Sequence, residues 1–191
     1  PPRGIVRPPA PAAPASRRSR PGPKATRSAS APAARQRVLL VDDHPMTRGG
    51  MAAVINQQPD LVVCAEAGTA EEAIGLAMAS EPDLVITDIT MSGRSGLELI
   101  KDLQALRPGL PLLVVTLHDE YLYAERALRA GARGYLMKDA GAAKLLEAIR
   151  KVLSGQTYVS PQLAAHILDL YAGRQPRNAS SSVERDRKSV V

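Results

Sequence analysis

The sequence predicts an open α/β domain: a doubly wound, five-stranded parallel sheet with strand order 2-1-3-4-5. Three observations lead there. Short unbroken apolar runs recur five times between residues 38 and 137, the pattern of strands covered on both faces. Stretches of helical period lie between them, so strand and helix alternate, which calls for right-handed crossovers and a parallel sheet. Charged and hydroxyl side chains collect at the ends of runs one, three, four and five, and such a sheet opens its ligand crevice at its C-terminal edge.

The strands are read at 38-VLLV-41, 61-LVVCA-65, 84-LVIT-87, 112-LLVVT-116 and 134-GYLM-137. Met51, Val54 and Ile55 form the stripe of the first helix. The second opens with the capping box 69-TAEE-72 and carries Ala70, Ala73, Ile74, Ala77 and Met78 on one face. Leu99, Leu103 and Leu106 mark the third, which ends before Pro108 and Gly109. The fourth runs from about Glu120 to Ala130 and is weakly amphipathic. The fifth has a clear stripe of Leu145, Ala148, Ile149, Val152 and Leu153.

Composition narrows the function. Residues 1–37 hold nine Lys or Arg and no acid, residues 174–191 carry a net charge of +3, and the stretch between is net −6. The folded part is therefore acidic, and nucleic-acid binding argued from overall charge would rest on the tails alone. One cysteine, Cys64, excludes an internal disulfide and a Cys-based zinc site, and is read as a small core residue. No apolar stretch approaches the ~20 residues needed to span a bilayer. The N-terminus lacks the apolar core of a signal peptide, so a cytoplasmic protein is expected.

The strand ends carry the chemistry. The first run ends in Asp42 and Asp43, the third in Asp88, the fourth in Thr116, and Lys138 follows the fifth. A carboxylate closing an apolar strand is costly unless something uses it. Three converging carboxylates repel one another, and a hard divalent cation removes the conflict. Oxygen ligands without Cys or convergent His favour Mg²⁺. Carboxylates, a cation, a hydroxyl and a lysine together suit phosphoryl transfer. No GxxxxGK[ST] cradle is present, which argues against nucleotide binding. A carboxylate nucleophile remains, able to form an acyl phosphate, and Asp88 on the central third strand is best placed.

These residues carry a resemblance. VDDHP at 41–45, TD at 87–88, Thr116 and GYLMKD at 134–139 resemble the receiver domain of two-component response regulators, a flavodoxin-like fold, over roughly residues 37–155. DDHP, TLHDE at 116–120 and GARGYLMKDA at 131–140 are similar to the LuxR/NarL-type branch, whose members usually carry a helix-turn-helix DNA-binding domain after the receiver. The resemblance implies that Asp88 accepts the phosphoryl group from a sensor histidine kinase. It implies that Asp42, Asp43, Asp88 and the backbone carbonyl of Thr90 hold Mg²⁺, and that Thr116 and Lys138 contact phosphoryl oxygens. Tyr135 corresponds to the switch aromatic that turns inward when the threonine moves. From the residues alone, Tyr135 is equally readable as a core or edge aromatic.

The chain departs from the family at two points. Ser92 stands where Pro usually follows the Met at 91; the loss is expected to loosen the unfolded and loop ensembles by ~0.4–1 kcal/mol and need not touch the chemistry. Asp139 follows the lysine where many receivers have a Pro joined by a cis bond, which leaves that bond's geometry open. His44 beside the acids reads either as a ligand or as the entry to the first helix. His118, in the loop after the fourth strand, has room for a contact role.

Outside the receiver, residues 1–36 read as a disordered basic tail rich in Pro, Ala and Arg. Residues 160–173 read as one more helix, with Ser160 as N-cap, Pro161 in the first turn and Gly173 as the stop. Leu163, Ile167, Leu170 and Tyr171 form its stripe, which could pack on the receiver, join two protomers into a homodimer or act as a linker. Residues 174–191 read as a disordered tail. No further helices follow, so the expectation is a switch acting on transcription through a helix-turn-helix domain that this chain lacks. The alternative is a stand-alone receiver acting as a phosphorelay or protein-interaction module. A turnover phosphatase is disfavoured because Thr90, not a second acid, stands two residues after Asp88.

Overall fold

A computed structural model describes residues 34–172. The tail readings at 1–33 and 174–191, and the stop at Gly173, lie outside the described residues. The elements run β1 (Gln36–Val41), α1 (Pro45–Asn56), β2 (Leu61–Ala67), α2 (Ala70–Ser80), β3 (Leu84–Thr87), α3 (Gly96–Leu106), β4 (Leu112–Thr116), α4 (Glu120–Ala130), β5 (Gly134–Met137), a 3-10 turn (Lys138–Ala140), α5 (Ala142–Leu153) and α6 (Pro161–Tyr171). The five strands pair in parallel in the order β2-β1-β3-β4-β5. The strand reading and the observed strands differ only at their ends. β1 starts at Gln36, inside the segment read as tail, because the Gln36 amide bonds to Asp60 O at 2.8 Å and Arg35 Nε to Leu61 O at 2.7 Å.

The period of two along each buried strand splits the core into two layers. Leu39, Val41, Val85, Leu112 and Val114 face α2, α3 and α4. Val38, Leu40, Leu84, Ile86, Leu113 and Val115 face α1 and α5. All four residues of β3 and all five of β4 are buried, which explains why their sequence runs do not alternate.

Two helical stripes are narrower than the sequence suggests. In α2 the buried residues are Ala70, Ala73 and Ala77, whereas Met78 is 45 % exposed. Small side chains bring this helix close to the sheet, and a long Met at the stripe's margin is left outside. In α3, Leu106 is 54 % exposed in the last turn, beyond the sheet's cover. The Thr69 hydroxyl accepts from the Glu72 amide as expected, but the Glu72 carboxylate takes the Gly68 amide at 2.8 Å. The complete capping box is at Ser95 and Glu98 of α3. α4 ends on Gly131 at φ +117°, a left-handed C-cap open to glycine at little cost.

Past α5 the chain returns to the sheet. Tyr158 bridges the outer edge of β5 at Gly134, its carbonyl accepting the Tyr135 amide at 2.8 Å. Ser160 then caps α6, accepting the Leu163 amide at 3.0 Å and donating to Glu120 Oε1 at 2.6 Å. Leu163 is buried in the same layer as Ala124 and Ala127 of α4. Of the three roles open to this helix in the sequence, packing on the receiver is the one seen.

Candidate functional site

The neighbouring strands β1 and β3 end side by side, and their connections leave in opposite directions, which opens a crevice there. Asp42 and Asp88 stand at these two ends, both buried. The Asp88 amide donates to Val41 O at 3.0 Å, so the sheet's own pairing sets the spacing between the two acids. Lys138, at the end of β5, reaches across with Nζ 2.6 Å from Asp88 Oδ2 and 2.7 Å from Asp42 Oδ2. The contact to Asp88 is an aligned hydrogen bond. The one to Asp42 is a charge contact, and Asp42 Oδ2 has no hydrogen-bond donor. Burial pushes the Lys138 amine down, but the two carboxylates outweigh it and hold its pKa above the ordinary lysine value.

Asp88's other oxygen, Oδ1, takes the amide of Ile89 at 2.6 Å and lies 3.4 Å from that of Thr90. Behind it α3 begins very close. The Gly96 amide donates to Ile89 O at 2.8 Å, and a Cβ on Gly96 would stand 2.9 Å from the Asp88 carbonyl carbon and overlap its oxygen. Only glycine lets this helix start against the end of β3.

Asp43 sits in the turn after β1, with Oδ1 2.8 Å from His44 Nδ1. Oδ2 is taken by Ser92, whose amide donates at 2.9 Å and whose hydroxyl donates at 3.0 Å. Partial burial raises the Asp43 pKa, but the Ser92 donors and the nearby His44 ring outweigh it, and the carboxyl lies below its ordinary value. The departure from Pro at 92 thus has a contact of its own: a Pro there would offer Asp43 neither donor. His44 is the N-cap residue of α1 ahead of Pro45, without a side-chain cap bond, so it serves the helix entry while its ring also touches the acids.

The remaining residues lie on the side of β4 and β5. Thr116 is buried at the end of β4, its hydroxyl accepting the His118 amide at 3.4 Å. Tyr135 is 1 % exposed and donates its hydroxyl to His118 O at 2.9 Å. It thus stands in the inward position, and burial together with nearby acids, Asp119 first, pushes its phenol well above the ordinary value. The Thr90 hydroxyl meets His118 Nε2 across the crevice mouth, and the His118 ring lies against Tyr123 with centroids 4.7 Å apart. Among the described residues every peptide bond is trans, including the one between Lys138 and Asp139.

The structure therefore brings together Asp42, Asp43, Asp88 and Lys138, with Thr116 and Tyr135 one layer behind. Ser92 and Gly96 were missed in the sequence; the departure from Pro at 92 was the one available signal. Asp42, Asp43 and His44 each offer a ligand atom within 4.8 Å of the others, and the buried Asp42 Oδ2 and Asp43 Oδ1 lack donors. An all-oxygen acidic pair, with Asp42 Oδ2 met by the Lys138 ammonium and Asp43 Oδ1 by the His44 ring, fits a hard divalent cation.

An open doubly wound sheet with three carboxylates and a lysine at its switch point defines a class: an α/β module with an ionic crevice at the C-terminal edge of its sheet. Comparison with known proteins gives the family. Residues 38–150 match the family described as the response regulator receiver domain, and the chain belongs to it. It is 39 % identical over 131 residues to the response regulator GacA of Pseudomonas viridiflava, covering 69 % of this chain and 61 % of GacA. It is 31 % identical over 153 residues to the transcriptional regulatory protein DegU of Brevibacillus brevis, covering 80 % of this chain and 65 % of DegU. The chain thus spans less than two thirds of the length of these relatives. A crystal structure of a LuxR-family two-component response regulator from Aurantimonas sp. superposes with a TM-score of 0.68 at 34 % identity, covering 73 % of this chain and 99 % of that one. No helix among the described residues is long and apolar enough to cross a membrane.

Proposed function

We propose that the chain is a phosphorylation switch in which Asp88 takes a phosphoryl group from a phosphohistidine of a sensor histidine kinase. A bond forms between an Asp88 carboxylate oxygen and phosphorus. The phosphorus–nitrogen bond breaks, and the kinase imidazole leaves with its electron pair. The observation that carries this reading is Asp88 itself, a buried carboxylate paired with Lys138, which also reaches the buried Asp42 on the neighbouring strand.

Asp42, Asp43, Asp88 and the backbone carbonyl of Thr90 would hold Mg²⁺. When bound, the cation supplies positive charge against the phosphoryl oxygens. Lys138 neutralises a second oxygen from where it stands. The Thr116 hydroxyl accepts from His118, which leaves its own proton free to donate to a third. Thr116 and Tyr135 both grip the segment at His118, so a shift of Thr116 toward a phosphoryl group pulls on the loop that Tyr135 holds. That loop leads into α4, and α4 carries α6. The output is transcription, as the names of the relatives suggest. The working partners are the kinase and a second copy of the regulator, and the setting is the cytoplasm. No turnover is expected, because Thr90 supplies no acid or base to expel the phosphate.

The test is incubation with acetyl phosphate and Mg²⁺, read by intact mass. The wild type should gain one phosphoryl group and Asp88→Asn none. Equal labelling of both, or labelling of neither, removes Asp88 as acceptor.

A further inference from the structure

Ser92 makes a contact that the phosphoryl-acceptor reading leaves unused. It lies in the loop between β3 and α3, yet both its donors, the amide at 2.9 Å and the hydroxyl at 3.0 Å, converge on Asp43 Oδ2 in the turn after β1, 49 residues away in the chain. The other oxygen, Asp43 Oδ1, is buried and takes no bond from Ser92; it faces His44 Nδ1 at 2.8 Å, within the group that Asp42, Asp43 and His44 form. The carboxylate is therefore divided, with one oxygen taken by Ser92 and the other turned toward the His44 ring.

That division has a physical consequence. The terminal torsion of an aspartate is broad and two-fold, so a free carboxylate in a turn spreads over many orientations. Two donors on one oxygen select a single orientation. The donors are themselves held, because the loop is closed at its far end by the Ser95–Glu98 capping box and by the Gly96 amide on Ile89 O. Neither donor competes for Oδ1.

Resting on the cation-site reading above, we infer that Ser92 is a positioning residue for the divalent cation: it fixes Asp43 so that Oδ1 alone is presented to the metal. Ser92 thereby ties the loop that follows the acceptor to the acidic pair on the neighbouring strand. A residue that lacks the hydroxyl keeps one donor, and a Pro keeps neither.

The experiment is calorimetric titration of the full chain with MgCl₂. Ser92→Ala should weaken binding about threefold to tenfold, the usual net worth of one hydrogen bond. Ser92→Thr, which keeps both donors, should restore affinity to within about twofold, a rescue that a merely structural loop effect would not give. Ser92→Pro should weaken binding further. In EDTA, the Ser92 amide should exchange about tenfold faster in Asp43→Ala than in wild type, reporting the contact without any metal. Ser92 is exposed, so these variants leave the core intact. Wild-type binding with Ser92→Ala unchanged or tighter overturns the positioning role alone. Absence of Mg²⁺ binding by the wild type overturns the cation site and this inference together.

Discussion

Lys138 Nζ lies 2.6 Å from Asp88 Oδ2, and the same nitrogen lies 2.7 Å from Asp42 Oδ2. One ammonium thus spans the ends of two neighbouring strands, with all three side chains less than a tenth exposed. Two carboxylates and one ammonium leave this buried group one negative charge in excess, and Asp43 adds another. A divalent cation would bring the set to neutrality, and lysine and cation would then divide the work of holding the acids.

Replacing Lys138 tests that division. Lys138→Met leaves Asp42 and Asp88 buried side by side without a counter-charge, a loss of about 3 kcal/mol for a broken buried pair. Urea denaturation in EDTA should show it, and Mg²⁺ should return part of it by binding only the folded state. The pH sign follows from the raised amine. Its contribution is complete below the ordinary lysine value of 10.5 and is lost only as pH climbs through the higher folded value. The gap between wild type and variant should therefore be flat through neutral pH and close in strong alkali. Equal stability in EDTA would show that the ion pair holds nothing.

The strands, the helices and the four charged residues of the crevice were legible because each has a local signature. β3 is an apolar run that ends in an acid, and the topology then dictates where that acid goes. Ser92 and Gly96 were not legible, because their importance lies in a partner far along the chain or behind it. Nothing near Ser92 announces Asp43, and nothing near Gly96 announces the Asp88 carbonyl. Met78 and Leu106 misled for a different reason: periodicity marks a stripe, while the depth of cover marks which of its members are buried. The α6 stripe was visible, but its target on α4 depends on the Tyr158 bridge, which a sequence pattern does not encode.

Gly96 sets how close α3 comes to Asp88. In an ordinary helix, Gly→Ala gains up to about 1 kcal/mol. Here the added methyl overlaps the Asp88 carbonyl, so the helix or the strand end must move. Gly96→Ala should instead lose about 1–3 kcal/mol, as overpacking does, and should slow phosphoryl labelling because Asp88 shifts with its backbone. Denaturation midpoints and labelling rates measured together check it. A stabilised variant with normal labelling would mean that the contact relaxes freely.

Tyr135 holds the loop before α4 through one hydroxyl. Tyr135→Phe keeps the packing and removes the donor to His118 O, which should cost about 0.5–1.5 kcal/mol and raise amide exchange at residues 117–119. Because the folded phenol is raised far above its ordinary value of 10.0, the link is complete at neutral pH. It weakens only when pH passes that ordinary value, where the unfolded chain ionises first. The wild-type advantage over Tyr135→Phe should thus be constant near neutrality and shrink above about pH 10. Unchanged exchange in the loop would remove the hydroxyl as its anchor.

Tyr135 also faces outward along the backbone, and this connects the crevice to α6. Its hydroxyl holds His118, while its amide donates to Tyr158 O, the residue that leads into the α6 cap at Ser160. Leu163 is the buried anchor of that helix at 1 % exposure. Leu163→Ala should undock α6 before it unfolds the sheet, because a segment held at one edge opens at a lower free energy than the core. Hydrogen exchange then separates the layers. The amides of Tyr135 and Tyr158, which bond across the β5 edge, should lose protection, while those of Leu39 and Val85 in the central strands should keep theirs. Uniform loss throughout would instead make α6 part of one cooperative unit with the sheet. In that case the Tyr135 amide could not pass a change at the acceptor selectively to the end of the chain.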